Sequence, residues 1–280
     1  MDTGCRVLVQ KMINVDINVS VLLKEYSFLD RFDWAKRLGF SAVEFYWNRE
    51  EDPTHIAERV RDADLRVAAF NFDAGNMAAG DRGLLSDPGR QAELRENVPI
   101  AIELADQLGC GNLTALAGNL NPELEREQQL DLIRENLRWI CEQASEARIT
   151  VLVEAINAHD NKLYPFTNTR ETVAFLDSVG ASNLKYLYDI YHMQRMEGNL
   201  AETLRVNIES IGHIQIADSP ARHQPGTGEI NYRYIFKEIE NSGYDGYVGL
   251  EYNPLASTED SLNWLPAECR DGLEIEKLNL

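Results

Sequence analysis

Short runs rich in β-branched residues alternate with longer amphipathic stretches along the whole chain, and this alternation limits the fold more than any other feature. Strands are expected at Ile17–Leu22, Ala42–Phe45, Val67–Asn71, Asn112–Leu116, Thr150–Glu154, Leu184–Asp189, His213–Ala217 and Tyr247–Glu251. The helical pattern between them is clearest at Leu130, Ile133, Leu137, Ile140, Cys141 and Ala144, spaced by threes and fours. Asp52-Pro53 opens another helix, with an acid at the N-cap and proline at the first helical position. One device recurs at Leu38-Gly39, Leu108-Gly109, Val179-Gly180 and Ser242-Gly243: a glycine sits where a helix stops and a strand is about to begin. Eight such units in about 250 residues is the arithmetic of a (β/α)8 TIM barrel. A doubly wound open sheet alternates in the same way, but its G-x-G-x-x-G after the first strand is absent. The expected fold is therefore α/β, a single-domain TIM barrel over residues 15–280, with residues 1–14 an N-terminal extension of no assigned role.

A buried parallel strand should be apolar throughout. Several strands here end instead in an acid or amide: Glu44, Asn71, Glu154, Asp189, Gln215 and Glu251. Strand side chains alternate, so if Glu154 faces the barrel axis, Leu152 lies beneath it and Val151 and Val153 face the helices. By the same parity Leu187 lies beneath Asp189, His213 beneath Gln215 and Gly249 beneath Glu251. Barrel active sites sit where the strands end. Strands five to eight then bring Glu154, Asp189, Gln215 and Glu251 around one half of the mouth. Three unpaired carboxylates there carry a heavy desolvation and repulsion cost. The neighbouring segments offer few basic groups, Lys162, Arg195 and Arg222. A divalent cation relieves the cost instead, and three carboxylates with an amide suit Mg²⁺ or Mn²⁺ better than zinc. One acid after one strand is commonly a helix cap; four polar ends on successive strands argue for a site.

His192, three residues after Asp189, falls at the mouth and is placed to polarise or orient a substrate oxygen. His213 reads as an interior residue, His55 as surface, and His159 and His223 as loop residues without a role. The loop Pro225-Gly226-Thr227-Gly228-Glu229 follows strand seven, where barrels often bind phosphate. It lacks the Lys-Ser/Thr of a P-loop and reads as a plain flexible loop. Arg222, just before it, offers a bidentate fork for a substrate carboxylate.

Composition excludes several partners. Lys+Arg total 27 against 46 Asp+Glu, a formal charge of −19 that repels phosphate backbones and anionic membranes. No nucleic acid and no membrane partner is expected. No apolar run approaches the roughly 18 residues of a membrane helix, and the first residues do not resemble a secretory signal. Cys5, Cys110, Cys141 and Cys269 form no C-x-x-C and read as free thiols in a cytoplasmic protein. A homo-oligomer is compatible with this sequence.

Two glutamates beside a metal with open positions suit proton transfer next to a carbonyl, giving aldose–ketose isomerisation or epimerisation. Spacing alone does not choose between them. The stretches Asp189-Ile-Tyr-His-Met-Gln-Arg-Met-Glu-Gly198, His213-Ile-Gln-Ile-Ala-Asp218, Pro225-Gly-Thr-Gly-Glu-Ile-Asn-Tyr232 and Gly249-Leu-Glu-Tyr252 closely resemble the hydroxypyruvate isomerase family. Ala78-Ala-Gly-Asp-Arg-Gly83 and Gly39-Phe-Ser-Ala-Val-Glu-Phe45 also look like it. That family belongs to the xylose-isomerase-like TIM barrels, and the resemblance spans residues 15–265. It implies conversion of hydroxypyruvate to tartronate semialdehyde through an enediolate; related members isomerise 2-oxo-tetronates or epimerise ketoses. It further implies Glu154 and Glu251 as acid/base pair and metal ligands, with Asp189 and Gln215 completing the Mg²⁺ or Mn²⁺ site. His192 and Arg222 would contact substrate, and Asn71 and Glu44, at the ends of strands three and two, are assigned to the same contact. The partner expected is a small hydroxy-keto acid or sugar.

Three mouth loops depart from the family. Glu154-Ala155-Ile156-Asn157 replaces Glu-Pro-Ile-Asn, with Asn161-Lys-Leu-Tyr164 after it; Asn71-Phe-Asp-Ala-Gly-Asn-Met77 replaces Asn-Leu-Pro-Ala-Gly-Asp-Trp; and Tyr46-Trp-Asn-Arg49 lacks the usual Pro-Tyr. The reaction class is thus better defined than the substrate. Two other classes fit a barrel of this kind: a phosphodiesterase like the endonuclease IV branch, and a non-catalytic sugar-acid-binding barrel. Net charge and Gln215 in place of histidine oppose the first; the complete set of metal ligands opposes the second.

Overall fold

The computed structural model describes residues 12–280. Strand β1 (Asn14–Asn18) leads through helix α1 (Asp30–Arg37) to β2 (Ala42–Phe45), and α2 (Pro53–Asp62) leads to β3 (Arg66–Asn71). Then come α3 (Gln91–Leu108), β4 (Asn112–Thr114), α4 (Arg126–Glu146), β5 (Thr150–Glu154), α5 (Thr169–Val179) and β6 (Leu184–Asp189). β6 runs directly into α6 (Ile190–Met196), followed by α7 (Leu200–Asn207), β7 (Ile211–Ile216), α8 (Tyr232–Ser242), β8 (Tyr247–Leu250) and α9 (Thr258–Ser261). All strand pairs are parallel and follow chain order, and β1 pairs with β8 to close the barrel. This is the expected TIM barrel.

Local chemistry accounts for the element ends. The Asp52 side chain caps α2 by accepting from the Thr54 amide. Gly109, Gly180 and Gly243 close α3, α5 and α8 in the left-handed conformation. The α4 stripe of Leu130, Ile133, Leu137, Ile140, Cys141 and Ala144 is buried against the sheet.

Strand parity sorts the core into two parts. Val151 and Val153 pack outward into the main core between strands and helices. Leu152, Leu187 and Ala69 form a separate apolar layer on the barrel axis. The polar strand ends rise above that layer, in the order parity predicted for β5 and β6.

The first strand lies earlier than expected. The run read as Ile17–Leu22 is β1 only to Asn18; beyond it the Val21 and Leu22 amides donate to the Asn18 carbonyl at 3.2 and 2.9 Å, forming a turn. Val21, Leu22 and Leu23 are buried in that turn, and apolar burial alone does not distinguish a turn from a strand. Ile13 bridges Leu273 and Asn14 opens β1, while residues 1–11 of the expected extension lie outside the described residues, Cys5 among them.

Cys110, Cys141 and Cys269 are free and buried, and burial pushes the thiols of Cys110 and Cys141 up to about 12, so neither is primed as a nucleophile. Among the described residues no helix is long and apolar enough to cross a membrane.

Candidate active site

The strand ends of β5, β6 and β7 and the residue after β8 converge at the C-terminal mouth. Register sets Asp189 beside Gln215 and Gln215 beside Gly249, two residues below Glu251. The Gln215 amide nitrogen donates to Glu251 Oε2 at 2.5 Å and to Glu44 Oε1 at 2.8 Å. Its carbonyl Oε1 is thereby left buried without a partner. Glu154 Oε1 and Asp189 Oδ2 are buried and accept no hydrogen bond either. Each such atom costs about 1–3 kcal/mol, more for a charged group, unless something outside the protein satisfies it. One orphaned oxygen on each of Glu154, Asp189 and Gln215 is the donor chemistry of a hard divalent cation. Glu154, Asp189 and His192 also offer ligand atoms within 4.8 Å of one another.

Electrostatics point the same way. Burial, then the charges of Glu251 and Asp189, push the Glu154 carboxyl well above the usual range. Burial lifts Asp189 to about 6 and Glu251 to about 8, opposed in both by the Arg222 guanidinium. Positive charge in this cluster favours the ionised forms that a base or ligand requires.

His192 is oriented by backbone. Its Nδ1 accepts from the Asn157 amide at 3.2 Å, so the ring proton sits on Nε2, which lies 3.7 Å from both Glu154 Oε1 and Asp189 Oδ2. Burial, then Arg222 and Arg195, lowers its pKa well below the ordinary value. His192 is thus a neutral donor facing the site, which suits a substrate oxygen better than a metal.

Arg222 donates to Glu251 Oε1 and lies 3.8 Å from Asp189 Oδ2. The guanidinium expected to clamp a substrate carboxylate is therefore held by protein carboxylates. Its backbone sits at φ 59°, pinned by the Asn253 amide on its carbonyl at 2.7 Å. Glu251 also accepts from the Tyr46 hydroxyl at 2.6 Å and from Asn18 Nδ2 at 3.2 Å. One pocket is lined by Glu154, Glu251, His192, Arg222 and Asn71, together with Tyr46, Arg82 and Asn161. Tyr46 and Asn161 stand in loops that the sequence places at the mouth and Arg82 in a family-like stretch, but the sequence assigns none of the three a role, nor Asn18. Asn18 had a signal: Asn14, Asp16 and Asn18 alternate with Val15 and Ile17, a strand with a polar inner face.

Glu44 differs from its expected place. Glu44 is 2% exposed, and its carboxylate accepts from His213 Nε2 at 2.7 Å, Gln215 Nε2 at 2.8 Å and Asn18 Nδ2 at 3.0 Å. It lies beneath the mouth, supports Gln215, and does not line the pocket. Glycine at 249 makes this position available, since a Cβ there would lie 2.8 Å from the Glu44 carboxylate.

Beside this pair sits Asp16, fully buried, with neither oxygen accepting a hydrogen bond and His213 Nε2 3.9 Å from Oδ2. Burial, then Glu44 and Glu251, pushes its carboxyl well above the usual range. A carboxyl raised in the folded state contributes stability below its ordinary pKa near 4, and that contribution fades as pH rises toward the folded value. Asp16→Asn removes the loss. Its melting temperature relative to wild type is expected to climb through the pH range above about 4. A constant difference in thermal melts across that range would show that Asp16 is ionised in the fold.

The glycine-rich loop after β7 has no amides to offer a phosphate. Asp218 Oδ2 accepts from Gly226, Thr227 and Gly228, and Oδ1 from Ser219 and Ile230. The loop wraps a buried carboxyl group of the chain itself.

A closed eight-stranded barrel with paired buried glutamates over an apolar plug defines a TIM-barrel enzyme. The chain belongs to the xylose isomerase-like TIM barrel family, whose model matches residues 32–268. It is 42% identical over 254 residues to the hydroxypyruvate isomerase of Escherichia coli K12, covering 91% of this chain and 98% of that one. It is 40% identical over 248 residues to a 2-oxo-tetronate isomerase of Cupriavidus necator, covering 89% and 95%. With these relatives, the enzyme is an isomerase. A crystal structure described as an AP endonuclease, family 2, from Brucella melitensis superposes with a TM-score of 0.87 at 36% identity, covering 90% of this chain and 98% of that one.

Proposed function

We propose that this chain isomerises a small hydroxy-keto acid, hydroxypyruvate to tartronate semialdehyde, with Mg²⁺ or Mn²⁺ held by Glu154, Asp189, Gln215 and Glu251. The observation that carries the reading is the set of orphaned oxygens on Glu154, Asp189 and Gln215 beside two buried glutamates that line one pocket. The cation, when bound, polarises the substrate carbonyl and keeps the glutamates ionised. The protein does the rest. One glutamate takes a proton from C3 of hydroxypyruvate, forming the enediolate, and a proton is returned at C2 while the hydroxyl proton passes from O3 to O2. His192, with its proton on Nε2, donates to a substrate oxygen as charge develops there. Tyr46, Asn18 and Arg222 hold Glu251 in place for proton transfer.

The two named relatives differ in substrate, and the larger 2-oxo-tetronate is the second reading, favoured by the altered mouth loops. Nucleic acid is not proposed: a chain of −19 gains little from a phosphate backbone.

Turnover of hydroxypyruvate by metal-stripped protein, before and after adding Mg²⁺ or Mn²⁺, tests the reading. Metal-restored appearance of tartronate semialdehyde is expected. No turnover with metal bound would move the assignment to 2-oxo-tetronates.

A further inference from the structure

We infer that Arg82 is the residue that selects a carboxylate-bearing substrate over a neutral ketose. This deepens the proposed function and rests on it for the identity of the acid.

Two guanidinium groups line the pocket, those of Arg82 and Arg222. Arg222 is held by Glu251 and lies close to Asp189. Among the described residues, Arg82 makes no ion pair. Its Nε donates to Asn161 Oδ1 at 2.8 Å, and its Nη1 donates to the carbonyls of Asp81 and Met77 at 2.6 and 3.2 Å. These acceptors are all neutral, and they leave Nη2 without a described partner. A half-buried guanidinium with its charge uncompensated, at the rim of a pocket crowded with carboxylates, is suited to an incoming anion. The glutamates repel such an anion, so a carboxylate needs a cation that they have not already engaged.

The position of Arg82 is built rather than incidental. Its carbonyl accepts from the Gly118 amide at 2.8 Å, and Gly83 bridges Ala117. Gly83 sits at φ 110°, and a Cβ there would come within 1.9 Å of the Leu116 carbonyl oxygen. Only glycine allows this loop to lie so close to the chain after β4, and that contact fixes Arg82 over the mouth. Asn161, from the loop after β5, orients the fork from the other side.

The test compares hydroxypyruvate with dihydroxyacetone, in which CH₂OH replaces the carboxylate, and measures tartronate affinity by calorimetry. Arg82→Gln should lower kcat/KM for hydroxypyruvate and the affinity for tartronate by about 100-fold, the scale of a lost charge-assisted hydrogen bond. Turnover of dihydroxyacetone should fall far less than turnover of hydroxypyruvate. Arg82→Lys should recover part of the loss, because lysine restores the charge but not the fork. Equal losses on both substrates would make Arg82 a structural support of the loop and overturn the inference. So would a variant that binds tartronate as tightly as wild type, or a wild type that does not bind it. If the wild type binds tartronate but does not turn over hydroxypyruvate, the proposed reaction fails, while the affinity of Arg82→Gln still decides the role of Arg82.

Discussion

Glu251→Gln and Glu154→Gln are each expected to lower turnover by about 10²- to 10⁴-fold, the range attributed to a positioned general acid or base. Their effects on the fold should differ, and that difference makes the pair informative. Glu251 accepts from four donors: the Tyr46 hydroxyl, Arg222, and the amides of Gln215 and Asn18. A glutamine there must turn its NH₂ group toward donors on one side. That leaves buried groups unpaired at about 1–3 kcal/mol and lowers the melting temperature by several degrees. Glu154 Oε1 accepts from nothing in the protein, and burial raises its pKa. Its amide variant breaks no bond at that atom and rules out a buried charge there, so the melting temperature should hold or rise. Activity lost in both variants, with stability lost in one, separates chemistry from folding. Turnover within tenfold of wild type in either would remove that residue from the proton-transfer pair.

The barrel was legible because each unit states its own class: β-branched run, amphipathic stripe, glycine stop. Parity then carried the reading inward for β5 and β6, where Leu152 and Leu187 do lie under Glu154 and Asp189. The bounds differ at β1 because Val19, Val21 and Leu22 continue the apolar pattern into a buried turn. The later bounds leave Asp16 outside the strand and hide the polar inner face that it shares with Asn18. Glu44 was assigned to the mouth from its place at a strand end. Its depth depends on His213 and Gln215 across the barrel and on the missing Cβ of Gly249, none of which β2 records. Arg82 and Tyr46 reach the pocket from loops, where no periodicity fixes direction. The glycine-rich loop shows the converse: its motif suggested an anion site, and the structure fills that site with Asp218.

Removal of metal should have the other large effect, and it can be read without activity. Chelation is expected to abolish turnover, and Mg²⁺ or Mn²⁺ to restore it. The same ions should raise the melting temperature, because a ligand bound only by the folded state stabilises it by about 2.7 kcal/mol at a hundredfold excess over its Kd. For a chain of this length that is a shift of several degrees. The source is specific: the orphaned oxygens of Glu154, Asp189 and Gln215 gain a partner, and three carboxylates lose their mutual repulsion. Asp189→Asn isolates the site. Asp189 caps α6 by accepting from the His192 amide at 3.2 Å, and asparagine caps a helix about as well as aspartate. The variant should therefore fold and melt like metal-free wild type, yet show no rise when Mn²⁺ is added. A full metal-dependent rise in Asp189→Asn would place the ion elsewhere. Full turnover in chelated wild type would mean that the two glutamates and Arg222 carry the reaction without one.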